Sequence, residues 1–160
     1  MNEFVVVDAS VALKWILAPA EESHVPQARA LLEDTLKSRG HFLVPPHFFA
    51  EVVNVLYHRI RTNRPELRLT PAEAAEALAT LQKLPVEAIT PPDLYERALA
   101  LALQHVLPGA YDALYLAVAE LAESVLWTDD RRLLDALSGA LTYARWIHDY
   151  PSDPLPSLNL

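Results

Sequence analysis

The sequence has no cysteine, which excludes a disulfide framework, a thiolate metal site and a thiol nucleophile. Only 3 glycines occur in 160 residues, and none builds a GxGxxG turn, a P-loop or a GxSxG elbow. Nucleotide binding through glycine loops and serine-elbow chemistry therefore lack support. The six histidines (His24, His41, His47, His58, His105 and His148) show no HxxxH or comparable zinc spacing. No apolar run approaches the roughly 18 to 20 residues a membrane span needs. No basic leader precedes Phe4, so no secretory signal is read and a cytoplasmic location is expected. Positive charge is also scarce, the formal net charge being −8, whereas a nucleic-acid footprint is usually basic. Either the acid serves solubility, or carboxylates are neutralised by a divalent metal and basic residues are gathered locally.

What is present points to one packed domain. Hydrophobic residues make up 52% of the chain, enough to build a real core at this length. Short β-rich runs alternate with longer helical ones. Phe4-Val5-Val6-Val7 is apolar on both faces, as a central parallel strand is. Helices are expected over 9–16 and 23–39, the second ending at Gly40. A strand follows at 41–44, then a helix opened by Pro46 and running to about Arg61. Thr70-Pro71-Ala72-Glu73 is a capping box leading a helix to Lys83. A strand at 86–89 precedes Thr90-Pro91-Pro92-Asp93, which is expected to cap a helix to about His105. A helix over 111–123, a strand at 124–127, a helix over 130–137 and a fifth strand near 142–146 complete the pattern. Strands separated by helices imply a parallel five-stranded α/β sheet with helices on both faces. Residues 1–150 form the domain, and 151–160, with three prolines, an extended tail.

In such sheets functional groups gather beyond the carboxyl ends of the strands, and four acids fall in suitable places. Asp8 directly follows the first strand, where it also suits a helix cap. Glu51 shares a helical stripe with Asn54 and His58 on a helix whose other positions (Phe49, Val52, Val53, Leu56, Ile60) are apolar, which predicts a largely buried helix. Asp112 opens a helix that is apolar nearly all round, where it also suits the helix dipole. Asp129 and Asp130 follow the 124–127 strand, with Thr128 or Asp129 suited to cap the next helix. Converging carboxylates repel one another unless a cation neutralises them. Oxygen ligands without His or Cys select Mg²⁺ or Mn²⁺, metals that act on phosphate esters. The chemistry implied is phosphodiester hydrolysis.

These residues resemble the PIN-domain nucleases, in particular the VapC-type toxins of toxin–antitoxin pairs. The matching segments are Val6-Val7-Asp8-Ala9-Ser10, Pro46 through Glu51 and Asn54, Tyr111-Asp112-Ala113-Leu114-Tyr115-Leu116-Ala117, and Thr128-Asp129-Asp130-Arg131-Arg132-Leu133. The resemblance implies an RNA substrate and Mg²⁺ or Mn²⁺ held by Asp8, Glu51, Asp112 and Asp130. Ser10 and Thr128 match small hydroxyl positions beside the site. It also implies a homodimer and a small VapB-like antitoxin. The pattern threonine, any residue, aspartate makes Asp130 the ligand and leaves Asp129 variable, so replacing Asp129 is expected to cost little. Arg59, Arg61, Arg64 and Arg68 form a basic run able to track an RNA backbone. The competing reading is a non-catalytic interaction module whose acids are helix caps. A haloacid-dehalogenase-like domain is disfavoured because no second acid stands two residues after Asp8. A receiver-like domain is disfavoured because the 42–44 strand ends in prolines.

Overall fold

The computed structural model describes residues 4–17 and 23–152. Most of the expected tail, and the break expected at Pro19, lie outside the described residues. Five strands, β1 (Phe4–Val7), β2 (His41–Val44), β3 (Val86–Ala88), β4 (Leu126–Thr128) and β5 (Ala144–Trp146), form one sheet in the order β3-β2-β1-β4-β5. Every neighbouring pair is parallel. Seven α-helices separate them: α1 (Ala9–Ile16), α2 (Val25–Lys37), α3 (Phe48–Arg61), α4 (Pro71–Gln82), α5 (Leu94–His105), α6 (Ala110–Leu121) and α7 (Arg131–Leu137). The α/β class and the five parallel strands are as the alternation implies.

The central strand carries the burial its composition predicts, with Val6 and Val7 fully inaccessible. Phe42 on β2 is equally buried and meets the Trp15 ring of α1 at 4.7 Å. The Trp15 indole N–H donates to the Ala28 carbonyl at 2.8 Å, which ties α1 to α2. The capping box forms: Thr70 Oγ1 accepts from the Glu73 N–H at 3.2 Å, and Glu73 accepts from the Thr70 N–H at 2.7 Å. Such a cap contributes about 1 kcal/mol.

Four local expectations need correction. Pro46 does not open α3: the chain turns first, with the Phe48 N–H donating to the Pro45 carbonyl at 3.1 Å, and the helix begins at Phe48. α3 is buried along one stripe only, Phe48, Val52 and Leu56, while Val53 and Tyr57 are half exposed. Asp93 precedes α5 in the left-handed region, φ 64°, and makes no side-chain cap. Neither Thr128 nor Asp129 caps α7; Asp130 does, accepting from the Arg132 and Leu133 N–H groups at 2.9 and 3.3 Å.

The topology decides where a site can stand. From β1 the chain steps one way to β2 and β3, and later returns on the other side of β1 to β4 and β5. The β1–β4 seam is therefore the switch point, where loops leave in opposite directions and open a crevice at the carboxyl edge. α3 leaves that edge after β2. α6 runs back toward the start of β4, which puts its amino end at the same edge.

Candidate functional site

Asp8 and Thr128 face each other across the switch point. Asp8 is 8% exposed and Thr128 wholly buried, and the Thr128 hydroxyl donates to Asp8 Oδ2 at 2.6 Å. The same hydroxyl accepts from the Asp130 N–H at 3.0 Å. Asp8 Oδ1 accepts from the Ser10 N–H at 3.3 Å and caps α1. The cap reading and the site reading thus apply together, because one oxygen caps while the other faces β4. Burial raises the Asp8 pKa, the two hydrogen bonds from Thr128 and Ser10 oppose the rise, and the charge of Asp130 adds to it.

Glu51, in the first turn of α3, accepts a hydrogen bond from the Tyr115 hydroxyl of α6. Burial lifts its pKa to about 7 against the pull of that hydrogen bond, with Asp8 and Asp112 contributing repulsion. Asp112, in the first turn of α6, is lifted to about 6 by burial and by the charges of Asp130 and Asp8, with Arg132 opposing. Asp8, Glu51, Asp112 and Asp130 thus come from four separate places in the chain, with Asp8 and Asp112 each repelled by another of the four and Glu51 repelled by both. Among the described residues, no three acids or histidines stand close enough to enclose a metal ion as they are.

Sequence reasoning missed two neighbours. Tyr115 is 1% exposed, and burial drives its phenol far above the ordinary range, so it stays a donor to Glu51. It lies three residues after Asp112, one helical turn on the same face, and that spacing was the available signal. His47 sits one turn before Glu51, with Nε2 3.4 Å from Glu51 Oε2. Neither of its ring nitrogens makes a hydrogen bond; the 3.4 Å approach lacks the required geometry. Burial lowers its pKa.

Asp129 belongs elsewhere, which corrects the expectation that it is dispensable. Its Oδ2 lies 2.9 Å from Lys14 Nζ, and Lys14 is 3% exposed. Its Oδ1 meets His24 Nδ1 at 2.9 Å and accepts from the Trp146 indole at 3.0 Å. Its backbone N–H donates to Ser10 Oγ at 3.1 Å. Burial opposes ionisation, but the contacts with Lys14, Trp146 and His24 outweigh it and hold the pKa low.

The supporting residues divide. Ser10 and Thr128 are at the site, whereas Asn54 is exposed on α3. The basic run is not gathered around the acids. Arg61 is ten residues beyond Glu51 along α3, roughly 15 Å at the helical rise, and its guanidinium donates to the Tyr57 hydroxyl at 2.6 Å. Arg64 pairs with Glu66 at 2.7 Å, and Arg68 donates to the Thr62 carbonyl at 2.8 and 3.0 Å. The cation beside the acids is Arg132, whose side chain is 85% exposed and 4.0 Å from Asp130. A cavity of about 210 Å³ lined by Phe4, Leu31 and Ser124 opens at the opposite, amino-terminal edge and includes none of the four acids.

A family model described as "PIN domain" matches residues 5–138. The chain belongs to the PIN-domain family. Members are in general nucleases that use divalent metals and act on nucleic acid. The fold is similar to that in the crystal structure of PAE2754 from Pyrobaculum aerophilum, with 26% identity, a TM-score of 0.59, and 91% and 92% of the two chains covered. No curated protein matches the chain. Among the described residues no helix is long and apolar enough to cross a membrane.

Proposed function

We propose that this PIN domain is a Mg²⁺- or Mn²⁺-dependent endoribonuclease, acting as the toxin of a VapBC-type pair. The observation that carries the nuclease reading is the set of mutually repelling carboxylates at the switch point, with Glu51 and Asp112 lifted to about 7 and 6. Acids crowded together at a half-buried site, with only the exposed Arg132 side chain near them, are unfavourable as they stand, and a divalent cation removes that cost. The donor set fits a hard cation, being all carboxylate oxygen with no thiolate. Asp8, Glu51, Asp112 and Asp130 are the residues that would hold it. When bound, the metal supplies a water acidic enough to attack phosphorus and a charge for the phosphate oxygens.

The chain's own groups do the positioning. Thr128 fixes the orientation of the Asp8 carboxylate and, through the Asp130 N–H, the start of α7. Tyr115 holds Glu51 by its hydroxyl. Arg132 provides an exposed positive group beside Asp130 for the phosphodiester. Asn54, being exposed on α3, and Arg59, Arg61, Arg64 and Arg68, being remote, are assigned no part in the chemistry.

An apolar stripe on α5, Tyr95, Leu99 and Leu103 at 58%, 58% and 71% exposure, supports a homodimer or an antitoxin contact. The deciding experiment is cleavage of single-stranded RNA with Mg²⁺, with EDTA, and with Asp8→Asn. Activity should require the metal and vanish in the variant. Cleavage that persists in EDTA and survives Asp8→Asn would sink the reading.

A further inference from the structure

Beside the acids stands a stack of side chains that the proposed chemistry does not use. The Trp146 and His148 rings lie 4.3 Å apart at an interplanar angle of 19°. The Arg131 guanidinium is 4.3 Å from the Trp146 ring centre. Two groups at that distance cannot share one face, so Trp146 is sandwiched between Arg131 and His148. His24 stands perpendicular to both rings at nearly equal centroid distances, 5.3 Å from Trp146 and 5.2 Å from His148. Equal distances put it beside the stack, not on its end. The His148 side chain is 52% exposed, so the stack ends on an imidazole open to solvent.

The stack is rigidly tied to the site. Trp146 pairs with Thr128 in the β4–β5 register, and Thr128 contacts Asp8. With strands about 4.8 Å apart, Trp146 stands roughly 10 Å from Asp8 across the carboxyl edge. Its indole donates to Asp129, whose other oxygen is held by Lys14. His24 completes the fixture through its hydrogen bond to Asp129, with its backbone in the left-handed region at φ 61°. Arg131 and Arg132 are exposed cations on the same flank; Arg131 also pairs with the exposed Asp135 at 3.2 Å, and the exposed Asp149 contacts His148 Nδ1 at 2.9 Å.

We infer that the outer face of His148 is a stacking subsite for a nucleobase of single-stranded RNA next to the scissile phosphate. Flat, exposed aromatic surface beside cations is what single strands bind, because every base has a π-face and every linkage a charge. Arg132 engages the backbone near Asp130 while the flanking base extends the Arg131–Trp146–His148 pile. A duplex, whose bases are already stacked, cannot use this face. The inference rests on the ribonuclease reading.

The test is RNA affinity in an Asp8→Asn background with Mg²⁺, so that binding is measured without cleavage. His148→Ala should weaken single-stranded RNA binding about tenfold, His148→Phe should restore it, and duplex affinity should not move. In otherwise wild-type protein, His148→Ala should raise KM and leave kcat unchanged. Unchanged single-strand affinity in His148→Ala, or no rescue by His148→Phe, overturns the subsite while leaving the nuclease reading intact. An equal loss on duplex RNA also overturns it. If the wild-type protein cuts no RNA with either metal, the nuclease reading itself falls, and the subsite with it.

Discussion

Two carboxylate environments lie side by side at the carboxyl edge of the sheet, and they are opposites. Around Asp129 every need is met: Lys14 supplies the charge, while His24 and Trp146 occupy the other oxygen. Around Asp8 and Glu51 hydroxyls and a backbone amide supply hydrogen bonds, but these acids and Asp112 are mutually repulsive. Neighbouring residues on one loop, Asp129 and Asp130, thus fall into different regimes. A carboxylate with a buried lysine is a structural element. Carboxylates crowded with other carboxylates are the ones proposed to hold a cation.

The largest expected effect separates those two neighbours. Asp130→Asn should reduce single-turnover RNA cleavage by roughly a hundredfold or more, as lost metal-site contacts do. Its stability should hardly change, because asparagine caps a helix as well as aspartate. Asp129→Asn should do the reverse, removing the carboxylate charge that the buried Lys14 faces, at a cost of about 1.5–3 kcal/mol. Pairing it with Lys14→Met should recover most of that loss. Urea melts of the three variants check the stabilities. An Asp129→Asn protein as stable as wild type would mean that the Lys14–Asp129 pair adds nothing to the fold.

A smaller effect tests the crowded side. The raised pKa of Asp112 means that folding disfavours its charged form. That cost is absent below the unfolded pKa near 3.8 and complete above about 6. Without metal, Asp112→Asn should therefore melt higher than wild type at pH 7.5, by roughly 1 kcal/mol or about 2–4 °C. Near pH 4 the two should converge. A lower melting temperature in EDTA would instead make Asp112 a helix-start residue and little more.

The smallest effect lies on the far side of α6, at a neutralised pair in contact with solvent. Arg97 holds Glu120 with two hydrogen bonds, 2.7 and 3.0 Å, linking α5 to α6. The Arg97 hydrogen bond depresses the Glu120 pKa. The pair's contribution is therefore present above the ordinary 4.5 and fades as pH falls through the depressed value. Both side chains are about a third exposed, so Arg97→Gln should cost only about 0.5 kcal/mol at pH 7. That cost should shrink in high salt. A loss several times larger would show that the pair is screened less than its exposure implies.

What the sequence made legible was whatever lies within one window of the chain. The Val5-Val6-Val7 run, the Thr70–Glu73 capping box and the α6 core helix each carry their own signal, and each is found in place. The acids were legible because strand ends of a parallel sheet share an edge. What escaped is held by long-range contacts: Lys14 with Asp129, Tyr115 with Glu51, Thr128 with Asp8. Lys14 was a lone charge on a short apolar helix, and Asp129 an acid without an assigned role. Only the fold says that they meet. The arginines from Arg59 to Arg68 are neighbours in sequence, but Arg61 stands roughly 15 Å along α3 from Glu51, a distance that the sequence run alone does not convey.

The Thr128–Asp8 hydrogen bond joins residues 120 apart in the chain, and that has a consequence in time. Chains emerge from the ribosome amino end first, at about 5–20 residues per second. Asp8 is made 120 residues before Thr128, and its partners on α6 also follow it by about a hundred residues. A nascent chain therefore has no assembled acid cluster until β4 has been released and has paired beside β1. The acid cluster is in this way a late product of folding, whatever the order in which the single helices form.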